Sequence, residues 1–581
     1  MNRKALIILG CFFLTVIISL SQNTVTGYAI TGQLMKSNFY RLDRDWSSIS
    51  LIYPDKFHTP YELTEELYLL NSTIPELVDL FKIGESIEGR PIYCIRITNE
   101  QNPTPKAGAL IVAHHHAREQ ITIEVSLRFL HQLVNNYDIN EEVTEYVDNQ
   151  EIYVIPCLNP DGLHYVLGNE TLDSDYWLRK NMRQFDDDGD LKFDEDHIDD
   201  TNSDGIVSGY DVYEKSGEDL IYLYSYYEGI DDDNDGLVNE DRRGGIDLNR
   251  NYAYRWNDSS CTSGATGNTL DEAYPGTSPF SEPETQAFRD FVQDKSFAMA
   301  ISLHSGINAT YFPWASEEAV WAEPSLYNTI YHDLKDLLPY RFFGEGYLPT
   351  QSGRQLPSVS YTSAGTWDDW MYAQQGCVVP MTFELYKNGS FVDLIEVEKE
   401  NDTHLIERWD CIYEYFAPTE SGKHFDSLWG DITPAFDYWL QNTPRLAVEV
   451  KSITGGTTEG DSIEVKLNVQ NLSPRMSTIA DLKVLNENFN ILSKDTSPVT
   501  ISKIAADVSD EKSFSFNLDE SLGSNETIIL YLGNEYIGYT KMTIQGNQIE
   551  KSTPVDFISV FIAIPLLVAL KHIFIRNKRE D

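Results

Sequence analysis

Five short apolar runs, IYCIRI, ALIVAHHH, EIYVIP, AMAISLHS and VVPMTFEL, recur between about Trp46 and Pro418 and alternate with helix-like stretches such as Ile123–Asn135 and Glu282–Gln293. That alternation predicts an α/β domain over residues 46–420 with a largely parallel or mixed sheet and helices on both faces. Ligands in such sheets bind beyond the carboxyl ends of the strands, so the polar residues that close the apolar runs are the first candidates for chemistry. After Pro444 the pattern changes to alternating strands (LAVEV, SIEVKLNV, SFSFNL, TIILYL) separated by Gly, Asn, Ser and Asp turns. This predicts an all-β sandwich over 444–546, without a catalytic cluster, acting as a spacer or binding module.

The two ends read differently. Arg3 and Lys4 precede the apolar stretch Ala5–Leu20, with small residues at Ser19 and Ser21, the layout of a secretory signal peptide over 1–21. Phe557–Ile575 is apolar apart from Ser559, Lys571 and His572, and a helix of that length covers about 29 Å, close to the hydrocarbon thickness of a bilayer. Arg576, Lys578 and Arg579 follow it, so a transmembrane helix over 557–575 would leave the C-terminus in the cytoplasm. The expectation is an exported chain anchored to the cell membrane through its C-terminal helix, with the catalytic domain outside. An N-terminal anchor and a buried core helix are the alternatives.

Composition changes the picture in one place. The chain has 581 residues and a net charge of −47, which argues against a nucleic-acid partner. Asp186 to Asp241 holds 21 acidic residues against Lys192 and Lys215, so −19 of that charge lies in an insert spanning about 184–243. Asp200, Asn202, Asp204, Ser208 and Asp211, with Gly205, occupy places of a calcium-binding loop, and Asp231, Asp233, Asp235 and Asn239, with Gly236, repeat the first part of that spacing. Alternate oxygen donors followed by a glycine turn suit a hard cation, so the insert is expected to bind Ca2+; a solvated acidic loop is the bland alternative. The six cysteines show no disulfide framework, and Cys94, Cys157 and Cys377 fall in strand-like runs as buried thiols.

His116-Ala117-Arg118-Glu119 closes the strand ALIVAHH and precedes a helix. His-x-x-Glu at a strand end offers an imidazole and a carboxylate, two of the three protein ligands of a catalytic zinc, and His304 in AISLHSG is the best third. His114 and His115 lack the spacing and are expected to pack or face solvent. Here HHHAREQI resembles the signature of the zinc carboxypeptidases of the carboxypeptidase A/B type. The likeness continues in chain order through NPDG (Asn159–Gly162), WLRKN (Trp177–Asn181), GIDLNRNY (Gly245–Tyr252), YPGTSPFSEPET (Tyr274–Thr285), SLHSG (Ser302–Gly306), SYTSAGTWDDWMY (Ser360–Tyr372) and MTFEL (Met381–Leu385).

The resemblance implies one zinc held by His116, Glu119 and His304, with Asp247 orienting the first histidine. It implies Glu384 as the general base that takes a proton from the attacking water and returns it to the leaving amine. Arg179 matches the arginine that stabilises the oxyanion, although WLRKN has one residue more between Trp and Arg than the common form, which leaves Arg183 as a competitor. Asn249 and Arg250 match the pair that binds the substrate's terminal carboxylate, and Arg118 and Tyr361 match further substrate contacts. Asp368 aligns with the base of the side-chain pocket, so C-terminal Lys or Arg is expected to be accepted. The substrates implied are peptide or protein C-termini.

Two departures stand out. Only some 20–30 residues separate the presumed signal from Trp46, too few for a globular prodomain. Position 306 is Gly where relatives often carry an aromatic residue. Competing readings are a peptidase for cell-wall-type peptides and a catalytically inactive, calcium-stabilised surface binding protein on a peptidase scaffold.

Overall fold

The structure, a computed structural model, describes residues 42–543 except 168–176, 340–361, 388–395, 411–421, most segments between the strands after 444, and shorter stretches that include 203–206 and 233. The presumed signal (1–21) and the apolar stretch 557–575 lie outside the described residues, among which no helix is long and apolar enough to cross a membrane.

A seven-stranded mixed sheet organises the first 390 residues, in the order β1-β2-β4-β3-β7-β9-β8. Its strands are β1 (Val78–Glu85), β2 (Pro91–Ile97), β3 (Ala107–Ala113), β4 (Gln150–Ile155), β7 (Phe297–Gly306), β8 (Ala309–Tyr311) and β9 (Val379–Lys387). The four central strands run parallel, and β1, β2 and β8 add on antiparallel at the two edges. The apolar runs behave as parallel strands covered on both sides should. In β3, Ala109, Ile111 and Ala113 enter one core while Leu110 and Val112 enter the other.

Helices complete both layers. On the first face lie α1 (Pro60–Thr73), α2 (Ile121–Asn136), α3 (Glu141–Asn149) and α6 (Pro324–Leu337), contributing Leu67, Leu130, Val147 and Tyr331 to one cluster. On the other, α5 (Pro283–Val292) and α7 (Trp367–Gln375) supply Phe288, Trp367 and Trp370. α4 (Pro160–Leu167) follows β4 and sets Val166 beside Ala117. Local signals fix the helix ends: α1 opens with a capping box between Thr59 and Glu62 and a proline in its first turn. The first core also takes in Phe425, Ile432, Phe436 and Trp439 of α8 (Gly422–Asn442), so it reaches past the expected boundary at 420.

The acidic insert is not a plain loop. It carries a hairpin, β5 (Ser208–Ser216) and β6 (Asp219–Tyr227), that pairs with β11 (His404–Asp410) and β10 (Glu396–Glu400) in a separate antiparallel sheet, β10-β11-β5-β6. β6 is the edge strand, exposed from Asp219 to Tyr226. Beyond residue 444, β12 (Leu446–Gly455), β13 (Ser462–Asn471) and β17 (Asp510–Asn517) form one antiparallel sheet. β14 (Thr478–Asn486), β15 (Ile491–Ser493), β16 (Pro498–Ile501), β18 (Thr527–Leu532) and β19 (Gly538–Thr543) form another. The four runs legible in the sequence are β12, β13, β17 and β18; the others were not expected.

Candidate active site

Three of the central strands deliver the site at their carboxyl ends. β3 runs into a buried turn whose first residue, His114, takes a positive φ of 59° and spends its ring on Ala117 O (3.0 Å) and Cys157 Sγ (3.4 Å). His115 points back into the sheet, with Nε2 2.9 Å from the Tyr252 hydroxyl and Nδ1 3.3 Å from Ser302 Oγ. Both therefore pack rather than face solvent. His116 turns to the open side, where its Nδ1 lies 2.8 Å from Glu119 Oε1 and 3.2 Å from His304 Nδ1, and His304 Nδ1 lies 3.0 Å from Glu119 Oε2.

The donor atoms of His116, Glu119 and His304 all fall within 4.8 Å of one another, and each residue is at most 3% exposed. Two imidazoles and a carboxylate are a catalytic zinc set. Two ring nitrogens facing each other across a carboxylate at 3.2 Å fit a shared cation better than a hydrogen bond. The residues present therefore suit zinc. The other nitrogen of His116, Nε2, lies 3.1 Å from Asp247 Oδ1, the carboxylate partner that fixes a ligating ring's tautomer.

Asp247 sits at the centre of the second layer. Its Oδ2 accepts Arg179 Nε (3.0 Å) and Nη2 (2.9 Å), and its Oδ1 accepts the Asn249 backbone N–H (2.9 Å). Burial alone would raise its pKa, but Arg179 and His116 hold it well below the usual carboxylate range. Glu119 likewise would be raised by burial and is instead held well down by His116 and His304. His304 is lowered by burial, which Glu119 only partly offsets. The competitor Arg183 is half-exposed and takes Glu282 (3.2 Å), so Arg179 is the arginine at the site.

Glu384 lies beside His304 in the β7–β9 register, and its Oε2 is buried with no hydrogen-bond partner. Burial and then the Glu119 charge push its carboxyl well above the usual range, against the pull of Arg179. Glu384 therefore sets one unpaired carboxylate oxygen beside the His304 end of the ligand cluster.

Asn249 and Arg250 stand next to the cluster as well. Asn249 Nδ2 lies 3.5 Å from His304 Nε2, and its Oδ1 accepts the Trp367 N–H at 2.9 Å. Arg250 bonds the Asn249 carbonyl (2.8 Å) and lies 3.4 Å from Ser263 Oγ. Gly264 (φ 76°) and Gly365 (φ 63°) close around it: an added Cβ would meet Arg250 Cδ at 2.5 Å and Arg250 O at 2.2 Å. Arg118 donates to Trp177 O (3.0 Å) and Glu272 (3.1 Å) and lies over the Trp177 ring. Glu272 and Ser263 carry no motif of their own and were missed in the sequence. Tyr361 lies outside the described residues.

Of the two acids opening α7, Asp369 is consumed by Ser316 Oγ (2.5 Å) and the N–H groups of Ala315 (2.7 Å) and Ser316 (3.0 Å). Asp368 is buried close enough to His304 to feel its charge, and burial raises its pKa.

Of the residues with calcium-loop spacing, Ser208 and Asp211 lie in β5, where Ser208 Oγ accepts Arg408 Nε (2.9 Å) and Asp211 accepts Ser225 Oγ (2.5 Å). Asp200 and Asn202 sit at a turn before it, and Asp204 and Asp233 lie outside the described residues. In the second pattern Asp231 closes a turn on the N–H groups of Asp235 (3.0 Å) and Gly236 (3.1 Å), while Asn239 Nδ2 donates to Tyr227 O (3.0 Å).

Comparison with known proteins follows the geometry. A family model described as zinc carboxypeptidase matches residues 63–404. Carboxypeptidase A6 of Mus musculus is 23% identical over 356 residues, 61% of this chain and 66% of that protein. Carboxypeptidase B2 of Bos taurus is 24% identical over 357 residues, 58% of this chain and 65% of that protein. The chain thus spans just under two thirds of these relatives' own lengths. Among solved structures, bovine thrombin-activatable fibrinolysis inhibitor in complex with tick carboxypeptidase inhibitor aligns over 67% of this chain and 97% of that one, at 18% identity and a TM-score of 0.43. The match to the family model covers more than half of the chain: this protein belongs to the zinc carboxypeptidase family.

Proposed function

We propose that the chain is a zinc metallocarboxypeptidase that hydrolyses the C-terminal peptide bond of peptides or proteins. The observation that carries this is the convergence of His116, Glu119 and His304, with the unpartnered Oε2 of Glu384 beside His304 in the strand register. Zinc held by the triad would supply Lewis-acid polarisation of the scissile carbonyl and a lowered pKa for water. Glu384 would take a proton from the attacking water and hand it to the leaving amine. Arg179, already oriented by Asp247, would face the developing oxyanion, where a fixed positive charge contributes several kcal/mol. Arg250 and Asn249 would hold the free α-carboxylate, which sets the cut one residue from the end, with Arg118 and Tyr361 as further substrate contacts.

The finer features belong to the same proposal. Asp368, which accepts the Asp369 N–H (3.1 Å) and is buried close enough to His304 to feel its charge, would be the acid for a basic C-terminal side chain. Calcium would occupy the turns around Asp200 and Asp231. Residues 1–21 and 557–575 would export and anchor the chain, with the catalytic domain outside and the two sheets after 444, packed as a sandwich, as spacer.

Glu384→Gln should keep zinc and lose hydrolysis by on the order of 10^2–10^4-fold. A variant with full zinc and full rate would contradict the assignment. Peptides ending in Arg, Leu and Glu test the pocket: a preference for Leu unaffected by Asp368→Ala would sink the basic specificity.

A further inference from the structure

The acidic insert ends in two arginines, Arg242 and Arg243, and they do not spend their charge on its carboxylates. Arg242 lies over the Tyr227 ring (5.0 Å) and Arg243 over the Tyr165 ring (5.6 Å), and neither guanidinium forms a hydrogen bond or an ion pair with a described residue. Arg243 Nη1 is buried without an acceptor. Both side chains line one cavity with Arg179 and Lys180, so four cations face it. Their placement is fixed by the backbone. Gly245 N–H donates to Asn181 O and Asn181 N–H to Ile246 O, both 2.9 Å, which lays the segment after Arg243 alongside the one that carries Arg179 and Lys180. Gly244, at φ 97°, permits the close approach: an added Cβ would meet Leu178 Cδ1 at 2.5 Å.

The cavity holds little to balance that charge. Its acid is Glu272, which already accepts Arg118 Nη1 (3.1 Å). Asp187 acts on Lys180 from outside the lining and accepts the Thr269 hydroxyl. Lys180 is 6% exposed, and its Nζ donates to a neutral acceptor, Thr269 O (2.6 Å). Burial, with Arg242 pressing the same way, brings its pKa down to about 8 against the pull of Glu272. In a chain of net charge −47, an electropositive cavity with an unsatisfied guanidinium N–H is a place for an anion from outside. Planar guanidinium groups match a carboxylate best.

We propose that Arg242 and Arg243, with Lys180, form a subsite for an acidic side chain of the substrate, N-terminal to the bond that is cut. The proposal rests on the peptidase reading above. There, the terminal carboxylate sits on Arg250 and Asn249, and only one residue of substrate lies beyond the cut. Neither Arg250, Asn249 nor Asp368 lines this cavity, which opens instead on the side of Arg179. Whatever part of the substrate enters it must therefore come from the residues before the scissile bond. The acidic insert thus adds to the site a preference for peptides with a glutamate or aspartate upstream of their last residue.

The test reads binding apart from turnover. Zinc-loaded E384Q protein is titrated with peptides that share a free C-terminal residue and carry either glutamate or glutamine at one of the residues just before the scissile bond, the position being walked along the peptide. At one position glutamate should bind about 10-fold more tightly than glutamine, on the scale of a charge-assisted hydrogen bond, and the advantage should shrink as sodium chloride is raised. With R242Q/R243Q added, glutamate and glutamine should bind alike, and R242K/R243K should restore part of the difference. No glutamate advantage at any position, an advantage indifferent to salt, or one that survives in R242Q/R243Q would each overturn the subsite. The first two readouts leave both arginines in place, so they decide the matter even where the double variant fails to fold. Hydrolysis of the glutamine peptides by the wild-type protein reports separately on the peptidase assignment.

Discussion

The sheet that carries the metal site and the sheet built on the acidic insert are both made of short strands, yet they solve opposite problems. In β3, β7 and β9 the strands are buried on both faces, and their polar residues are confined to the carboxyl ends. In β5 and β6 tyrosines and polar residues stand largely at the surface, and the edge strand exposes Ile221, Tyr222, Leu223 and Tyr224 by 42–56%. The first arrangement fixes side-chain geometry through packing on every side, which a metal site requires. The second fixes little by packing, so its order has to come from turns, strand pairing with β11 and, on our reading, a bound cation.

That contrast can be broken by substitution, beginning with the largest effect. His304→Ala should abolish zinc retention and lower peptide hydrolysis by on the order of 10^4-fold, whereas Tyr224→Ser in β6 should leave zinc content and rate as in wild type; metal analysis with a peptide assay checks both. Equal losses in the two variants would mean that the insert sheet belongs to the site.

Stability should divide the same way. Ile111→Ala removes a side chain buried in the centre of β3 and should cost about 2–5 kcal/mol in denaturant unfolding. Tyr222→Ala, half-exposed on β6, should stay within about 0.5 kcal/mol. Comparable destabilisation would show that β6 is covered in the folded protein.

A smaller effect concerns substrate capture. Arg250→Ala should raise KM for peptides with a free C-terminus by about 10–100-fold, in keeping with a lost charge-assisted pair. It should leave calcium binding by the insert unchanged. A normal KM would remove Arg250 from the carboxylate site.

The last contrast is in pH response. His58 is buried between Glu124 (Nδ1 to Oε2, 2.9 Å) and Glu66; burial alone would lower its pKa, but the two carboxylates lift it to about 9 from 6.5. A folded value above the unfolded one stabilises fully below pH about 6.5 and is lost as pH rises through about 9. Melting temperature should therefore fall between those values in wild type and fall less in His58→Gln. Parallel profiles would contradict this.

How far each region was legible in the sequence follows from the same contrast. Strands buried on both faces write continuous apolar runs, so β3, β7 and β9 could be placed, and with them His116, Glu119, His304 and Glu384 at their ends. Arg179 over Arg183 could not be settled, because the choice depends on which carboxylate each one reaches: Asp247 for one, Glu282 for the other. The β5–β6 hairpin was hidden because β6 has no buried face to impose a period of two, and its stabilising pairing, Ser208 opposite Asp410, joins positions about two hundred residues apart. The loop spacing at Asp200 reports a local turn and says nothing of the strand that begins at Ser208. Arg242 and Arg243 close an acidic run in the sequence, and that they line one cavity with Arg179 depends on the backbone pairing at Asn181, which no motif records.

The most direct test of the central claim is the rate of cleavage of two peptides that differ only in a free or an amidated C-terminus, measured with the zinc-loaded protein. A carboxypeptidase that holds the terminal carboxylate on Arg250 and Asn249 should release the last residue of the free peptide and leave the amide essentially uncut. Equal cleavage of both, or cleavage of neither, would contradict the account.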